Sequence, residues 1–422
     1  MAIPTLEELR EYNPRLTGEK FVTPAFRRQM YGELLELVKR RKYIVGITGM
    51  RRTGKTTIMK QVANQLEDSF FFSFEEDRFA NYEAMNHVIR EFSKLAERPI
   101  IMLDEVSRVD NWAGLLKKYH DLGKASFVVS GSASLEIKRG KESLAGRLIE
   151  LSLPPLQFRE YLALKKIDAR PLRFPKTSEG WERAFLGAKD VGAQLVGFLK
   201  KGGLPELVAE GKEEIIKRYV KSTTVERIVF SDIPSIFRVE ERSKLYSIME
   251  YVARESGSIV KPSHLGEALG LSKDTVANYL YYLSSAFLIG LLPIEGSTVK
   301  GFRRPKKAYA SCAPIAYALQ DELNMPCLAE TAVYDRLANG MGKKVWYYRN
   351  SFGREVDFLT EIPIAVKWKS VIEPGDYKDL VYYMRKKRRK FGLLITKDRF
   401  ETIKSKGAEI AAVPLWLFLL AE

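Results

Sequence analysis

Eight consecutive residues constrain this chain more than anything else in it. Gly49-Met50-Arg51-Arg52-Thr53-Gly54-Lys55-Thr56 fits GxxxxGK[ST] without a mismatch. The octamer follows a short β-branched run, residues 44–48, that reads as a buried strand. It precedes a segment with helical spacing at Ile58, Val62 and Leu66. Strand, glycine-hinged loop and helix N-terminus are the parts that turn backbone N–H groups onto phosphates. The residues expected around a nucleotide are Gly49, Arg51, Arg52, Thr53, Gly54, Lys55, Thr56 and Thr57. Lys55 is expected to reach the β- and γ-phosphates and the Thr56 hydroxyl to hold Mg²⁺. Arg51 and Arg52 add positive charge without an individual role.

A second segment points the same way. Ile100, Ile101, Met102 and Leu103 form an apolar run that ends in Asp104 and Glu105. A buried strand with two acids at its carboxyl end places one for the magnesium shell, Asp104, and one to polarise water, Glu105. Two adjacent carboxylates suit a protein that hydrolyses its nucleotide.

Around these motifs, strand-like runs at 70–74, 126–130 and 151–153 alternate with helical stretches at 81–95 and 112–122. That alternation predicts an α/β fold with a parallel sheet covered on both faces. The first domain spans 1–155. A helical region follows over 156–239, with a break at Lys201-Gly202-Gly203-Leu204-Pro205. Residues 240–304 carry helix-turn-helix spacing around Gly270, with a possible β-ribbon over 286–294. Residues 305–422 hold strand-like segments at 345–348, 355–359, 364–366 and 391–396, with a helix over 377–390.

Further elements carry a family resemblance: Ser130-Gly131-Ser132-Ala133-Ser134, Ser143-Leu144-Ala145-Gly146-Arg147, the 153–161 segment beginning Leu153-Pro154-Pro155, and Gly202-Gly203-Leu204-Pro205-Glu206. In this order they resemble archaeal and bacterial AAA+ P-loop ATPases with a C-terminal winged helix and a restriction-endonuclease-like domain. The resemblance implies ATP with Mg²⁺ and a homo-oligomer, a hexamer first. It makes Ser130, with Ser132 as alternative, a γ-phosphate sensor, and Arg147 an arginine finger acting within the subunit or across a boundary. The choice of ATP over GTP rests on the resemblance alone. In the last domain it aligns Glu330, Asp357 and Lys367 with a PD-(D/E)xK nuclease core. Ala365 stands where a second strand acid is needed to grip a metal, so the domain is expected not to cut.

Charge bears on partners. The net charge is +16, and residues 300–422 hold 23 Lys/Arg against 14 Asp/Glu. Such an excess suits DNA or RNA, or a charge-rich surface of a heat-adapted protein. The run Arg385 to Lys390, flanked by Tyr382 and Tyr383, and a cluster of Lys300, Arg303, Arg304, Lys306 and Lys307 are the candidate contacts. The side of the helix-turn-helix that would face a groove, Ser272, Lys273, Thr275, Asn278 and Tyr282, carries one basic residue, which favours a structural role over base reading. Two cysteines exclude a disulfide framework, and scattered His87, His120 and His264 argue against a histidine metal site. No apolar leader or ~20-residue apolar span is present, so a cytoplasmic protein without membrane contact is expected. Beside an ATPase, two readings stay open: a nucleic-acid-binding module regulated by ATP, and a scaffold that recruits DNA-repair or replication proteins.

Overall fold

The computed structural model describes residues 2–131, 143–297 and 305–422. The chain divides into two compact units, Met1–Leu153 and Pro154–Glu422.

The first unit is built on five parallel strands: β1 (Ile44–Thr48), β2 (Ser69–Ser73), β3 (Ile100–Asp104), β4 (Ser126–Gly131) and β5 (Leu148–Ser152), in the order β2-β3-β4-β1-β5. Alternate residues face opposite sides, as a pleated strand requires. Phe70, Phe72, Ile101, Leu103, Phe127 and Val129 enter one core with the helices Tyr82–Phe92 and Trp112–Asp121. Val45, Ile47, Phe71, Met102 and Val128 enter the other, with the helices Tyr31–Arg40 and Lys55–Ala63. Two covered faces explain why the strands read as unbroken apolar runs rather than as alternation. At the open edge of β2, the Asn13 side chain mimics a neighbouring strand: its amide donates to the Phe71 carbonyl at 2.9 Å, and its oxygen accepts from the Phe71 N–H at 2.6 Å.

The second unit starts with short helices, Phe158–Leu164, Ser178–Gly187, Leu195–Lys201 and Glu213–Tyr219. The helix Arg242–Arg254, β6 (Ser258–Val260), the helices Pro262–Leu269 and Lys273–Ser285, β7 (Ile289–Leu292) and β8 (Lys306–Ala310) follow. Gly270, at φ +68°, ends the first helix of the pair, and Ser272 caps the second by accepting the Thr275 N–H at 3.0 Å. The sequence reading begins a new domain at 305, but the structure places β8 between β6 and β7 in one antiparallel sheet. The ribbon therefore closes later than residue 294. The cause is that Lys306 and Lys307 look like surface charge, whereas Lys307 and Tyr309 both point inward.

The remaining strands, β9 (Trp346–Arg349), β10 (Glu355–Leu359), β11 (Pro363–Lys367), β12 (Phe391–Thr396), β13 (Glu401–Ser405) and β14 (Ala408–Pro414), form a mixed sheet ordered β13-β14-β12-β11-β10-β9. The helix Pro374–Lys386 covers it through Leu380, Val381 and Met384. The apolar stretch 411–421 is β14 and the buried helix Leu415–Leu420. Among the described residues, no helix is long and apolar enough to cross a membrane.

Candidate functional site

The site grows from the carboxyl ends of β1, β3 and β4, where ligands of open α/β sheets bind. Gly49 turns the chain out of β1 at φ +147°, and a Cβ there would lie 2.4 Å from the Leu153 carbonyl oxygen. Gly54, at φ +98°, opens the helix Lys55–Ala63. Between them Arg52 is left-handed at φ +68°, and the Thr53 hydroxyl donates to the Met50 carbonyl at 2.9 Å. Arg28, which the sequence reading did not single out, is 6% exposed and donates to the Thr53 carbonyl at 2.5 Å. Its only signal in the sequence is an arginine pair, Arg27-Arg28, far upstream of the loop. Arg51 pairs with Glu75 at 2.6 Å. Thr57 lies half-buried in the first turn of the helix, whose N–H groups lack intrahelical partners.

Lys55 is buried, and its ammonium donates to the carbonyls of Gly49 at 2.9 Å and Met50 at 3.1 Å. The Thr56 hydroxyl donates to Asp104 Oδ2 at 2.7 Å. The Ser130 hydroxyl donates to Asp104 Oδ1 and accepts the Glu105 N–H at 3.2 Å. Burial first, then the charge of Glu105, pushes the Asp104 carboxyl above the usual aspartate range; the hydrogen bonds from Ser130 and Thr56 and the charge of Lys55 oppose this. Glu105 is left-handed at φ +54°, a conformation that costs a non-glycine residue roughly 1 kcal/mol or more and occurs where surroundings enforce it. The structure thus brings Lys55, Thr56, Asp104, Glu105 and Ser130 together. The Ser130 hydroxyl touches the Asp104 carboxylate and the Glu105 backbone, with its one proton committed to Asp104. Its alternative, Ser132, lies outside the described residues.

Arg147 is not brought to this cluster. It precedes β5, and its carbonyl accepts the N–H of Ile44, the first residue of β1. The phosphate loop leaves the other end of β1, roughly 15 Å away for five residues of strand. Its guanidinium makes a two-pronged pair with Asp121, at 2.6 and 2.9 Å. Action on the phosphates of its own loop is therefore corrected: the parallel pairing of β1 and β5 puts Arg147 at the wrong end of the sheet.

Residues 41–162 match the family of AAA domains. The match spans the five parallel strands and the glycine-hinged loop, and supports an AAA-like P-loop fold for the first unit. Residues 193–310 match a family described as a domain of unknown function. An uncharacterized protein of Methanocaldococcus jannaschii is 29% identical over 255 residues, 58% of this chain and 55% of that protein. One of Haemophilus influenzae is 25% identical over 279 residues, 62% of this chain and 65% of that protein. The chain thus matches less than two thirds of the length of these curated relatives. Among solved structures, the Walker-type ATPase PABY2304 of Pyrococcus abyssi is similar at a TM-score of 0.45 and 12% identity, covering 71% of this chain and 98% of that one. DnaA of Aquifex aeolicus is similar at 0.27 and 16%, covering 65% and 92%. Likenesses this loose carry no inference for this chain.

In the second unit the carboxylates singled out from sequence meet an unforeseen partner. Lys307, on β8 and 2% exposed, reaches Glu330 at 2.9 Å, Glu355 at 2.7 Å and Asp357 at 2.9 Å. Tyr309 donates to the same Glu330 oxygen at 2.8 Å, and Asp357 Oδ2 accepts the Val366 N–H at 2.9 Å. Burial, then Asp357, pushes Glu330 up to about 7. Burial acts the same way on Asp357, but Lys307 and the Val366 N–H hold it below its usual range. Ala365 is buried and Lys367, at the end of β11, is exposed. Lys307 thus leaves the basic cluster proposed from sequence, whose Lys300, Arg303 and Arg304 lie outside the described residues. Tyr383 is also lost as a stacking surface: it is buried, with its hydroxyl on Glu295 at 2.8 Å.

Proposed function

We propose that this chain is a Mg²⁺-dependent ATPase that couples hydrolysis to movement of its C-terminal elements. The observation that carries the reading is the bond from the Thr56 hydroxyl to Asp104 beside the glycine-hinged loop. One hydroxyl and one carboxylate are the protein's usual share of a nucleotide-bound Mg²⁺ shell, the rest coming from phosphates and water. Bound there, the metal would neutralise phosphate charge. Lys55 exchanges two loop carbonyls for phosphate oxygens, Glu105 takes the proton of the attacking water, and Ser130 ties the Asp104 carboxylate to the Glu105 backbone. The test pairs two variants. Lys55→Ala is expected to abolish hydrolysis and weaken ATP binding. Glu105→Gln is expected to bind ATP normally and turn over about 10²- to 10⁴-fold more slowly. Unchanged turnover in Glu105→Gln sinks the assignment of the base.

Assembly belongs to the same proposal. With Arg147 turned from its own phosphate loop, an arginine contribution needs a second copy, which supports a homo-oligomer, a hexamer first. In residues 242–310 the order helix, strand, helix, helix, strand, strand supports a winged helix. The mixed sheet carrying Asp357, with Glu330 on the helix Met325–Asp335 beside it, supports a nuclease-like domain that does not cut.

A second reading, contact with a DNA or RNA backbone, is favoured by the run Arg385 to Lys390. All six side chains are exposed, with Lys387 paired to Glu295 at 2.9 Å. Neutralising Arg388 and Arg389 is expected to weaken binding and lower its salt dependence by about 0.7 per lost contact on a single strand. Absence of binding at low salt removes this reading.

A further inference from the structure

Lys307 is a long cation at the centre of three acids, in a unit whose sequence resembles metal-dependent nucleases. An ammonium has three N–H donors and no acceptor. Here three carboxylate oxygens, one each from Glu330, Glu355 and Asp357, lie 2.7–2.9 Å from Lys307 Nζ. Donors and acceptors are therefore matched one to one, at the length of charge-assisted N–H···O bonds. A magnesium ion would draw oxygens to about 2.0–2.1 Å and calcium to about 2.3–2.6 Å. Among the described residues, no group of three or more His, Cys, Asp or Glu is spaced to hold a metal. The other contacts fit the same occupant. Tyr309 donates to the Glu330 oxygen that Lys307 touches, and the second Asp357 oxygen is taken by the Val366 N–H.

Access does not explain the arrangement. Glu355 also lines a cleft of about 1050 Å³, together with Gly257, Lys261, His264 and Arg349. A small ion has a way in. Occupancy is what excludes it.

We propose that Glu330, Glu355 and Asp357 form a cation site whose permanent occupant is the ammonium of Lys307. The site is metal-independent and latches β8 to β10 and to the helix Met325–Asp335. The lysine does the charge-balancing that a divalent ion does in a metal-bound carboxylate cage, and it brings no bound water that could attack a phosphodiester. This deepens the reading of a nuclease-like domain that does not cut. It stands independently of ATP hydrolysis in the first unit.

The test is a set of thermal melts of the full chain without nucleotide, in EDTA and in millimolar Mn²⁺. All chains carry Asp104→Asn, which silences the metal ligand proposed in the phosphate loop. With the cluster intact, Tm is expected to be the same in EDTA and in Mn²⁺. Lys307→Met leaves three half-buried carboxylates without their counter-ion, and Tm should fall by about 10 °C or more. Adding Glu355→Gln and Asp357→Asn to Lys307→Met removes the uncompensated charge and should recover at least half of that loss. Where Lys307→Met alone does not fold, the combined variant should. A drop of the intact chain's Tm in EDTA, reversed by Mn²⁺, overturns the proposal. So does a combined variant no more stable than Lys307→Met.

Discussion

Arg147 and Lys307 are both charged residues whose sequence neighbours do not disclose their partners. Arg147 holds Asp121 on the surface of the first unit, and exposed pairs of this kind contribute little to stability. Arg147→Ala should therefore leave Tm nearly unchanged. If the guanidinium serves a second copy, ATP turnover should fall steeply at protein concentrations where the chain assembles and not below them. Equal turnover of variant and parent at every concentration ends the arginine-finger assignment. Lys307 sits in the opposite situation, fully buried, and its surroundings link folding to pH. Burial first, then the charge of Asp357, holds the Glu330 carboxyl up at about 7, against the opposing pull of Lys307 and Tyr309; Glu355 faces the same ammonium. Between the usual glutamate value and about 7 the folded chain keeps a proton that the unfolded chain releases, so stability falls as pH rises through this window. The loss should be on the order of 2–3 kcal/mol. Asp357, held low, acts in the opposite sense only in more acid solution. Urea midpoints of Glu330→Gln should be flatter between about pH 5 and 7 than those of the parent chain; parallel profiles contradict the assignment.

Among the elements, β1, β3 and β4 were legible because both faces are covered and nothing polar interrupts them. Their observed limits differ from the expected ones by at most one residue. The fifth strand was harder. Glu150 breaks its apolar pattern because its carboxylate accepts from Thr48 on β1 at 3.1 Å, so the strand begins three residues before the run read from sequence. β8 was missed for the reason that makes it informative: a lysine in a buried register position is visible only once its acids are in place. Gly49 and Gly290 are among the positions where an added side chain would meet a close neighbour. Gly49→Ala would press a methyl on the Leu153 carbonyl at an unfavourable φ, and should lower both Tm and nucleotide affinity, read by melting and by titration with labelled ATP. In β7, a Cβ on Gly290 would lie 1.6 Å from the Tyr334 hydroxyl oxygen. Tyr334 stacks on Tyr309 at 4.7 Å and is itself buried, so it has little room to yield. Gly290→Ala should cost about 1–3 kcal/mol by overpacking, measured by urea denaturation, while ATP binding in the first unit is retained. A neutral Gly290→Ala would mean that Tyr334 moves freely.

For the molecule as a whole, the proposed assembly is the property most open to a single measurement. Native mass spectra with and without ATP and Mg²⁺ should show a multiple of the chain mass, and a monomer under both conditions refutes the oligomer. The architecture of the first unit could be read from sequence because its motif, strand pattern and acids all sit in local segments. The strand pairing of β8 in the second unit could not be read that way, since the contacts around it join residues as far apart as 307 and 357. One consequence at this scale concerns Asn13. By posing as a strand against the exposed rim of β2, it occupies hydrogen-bonding groups that flank Phe70 and Phe72. A chain shortened past Asn13 would present that phenylalanine-rich rim as a template on which further copies could polymerise.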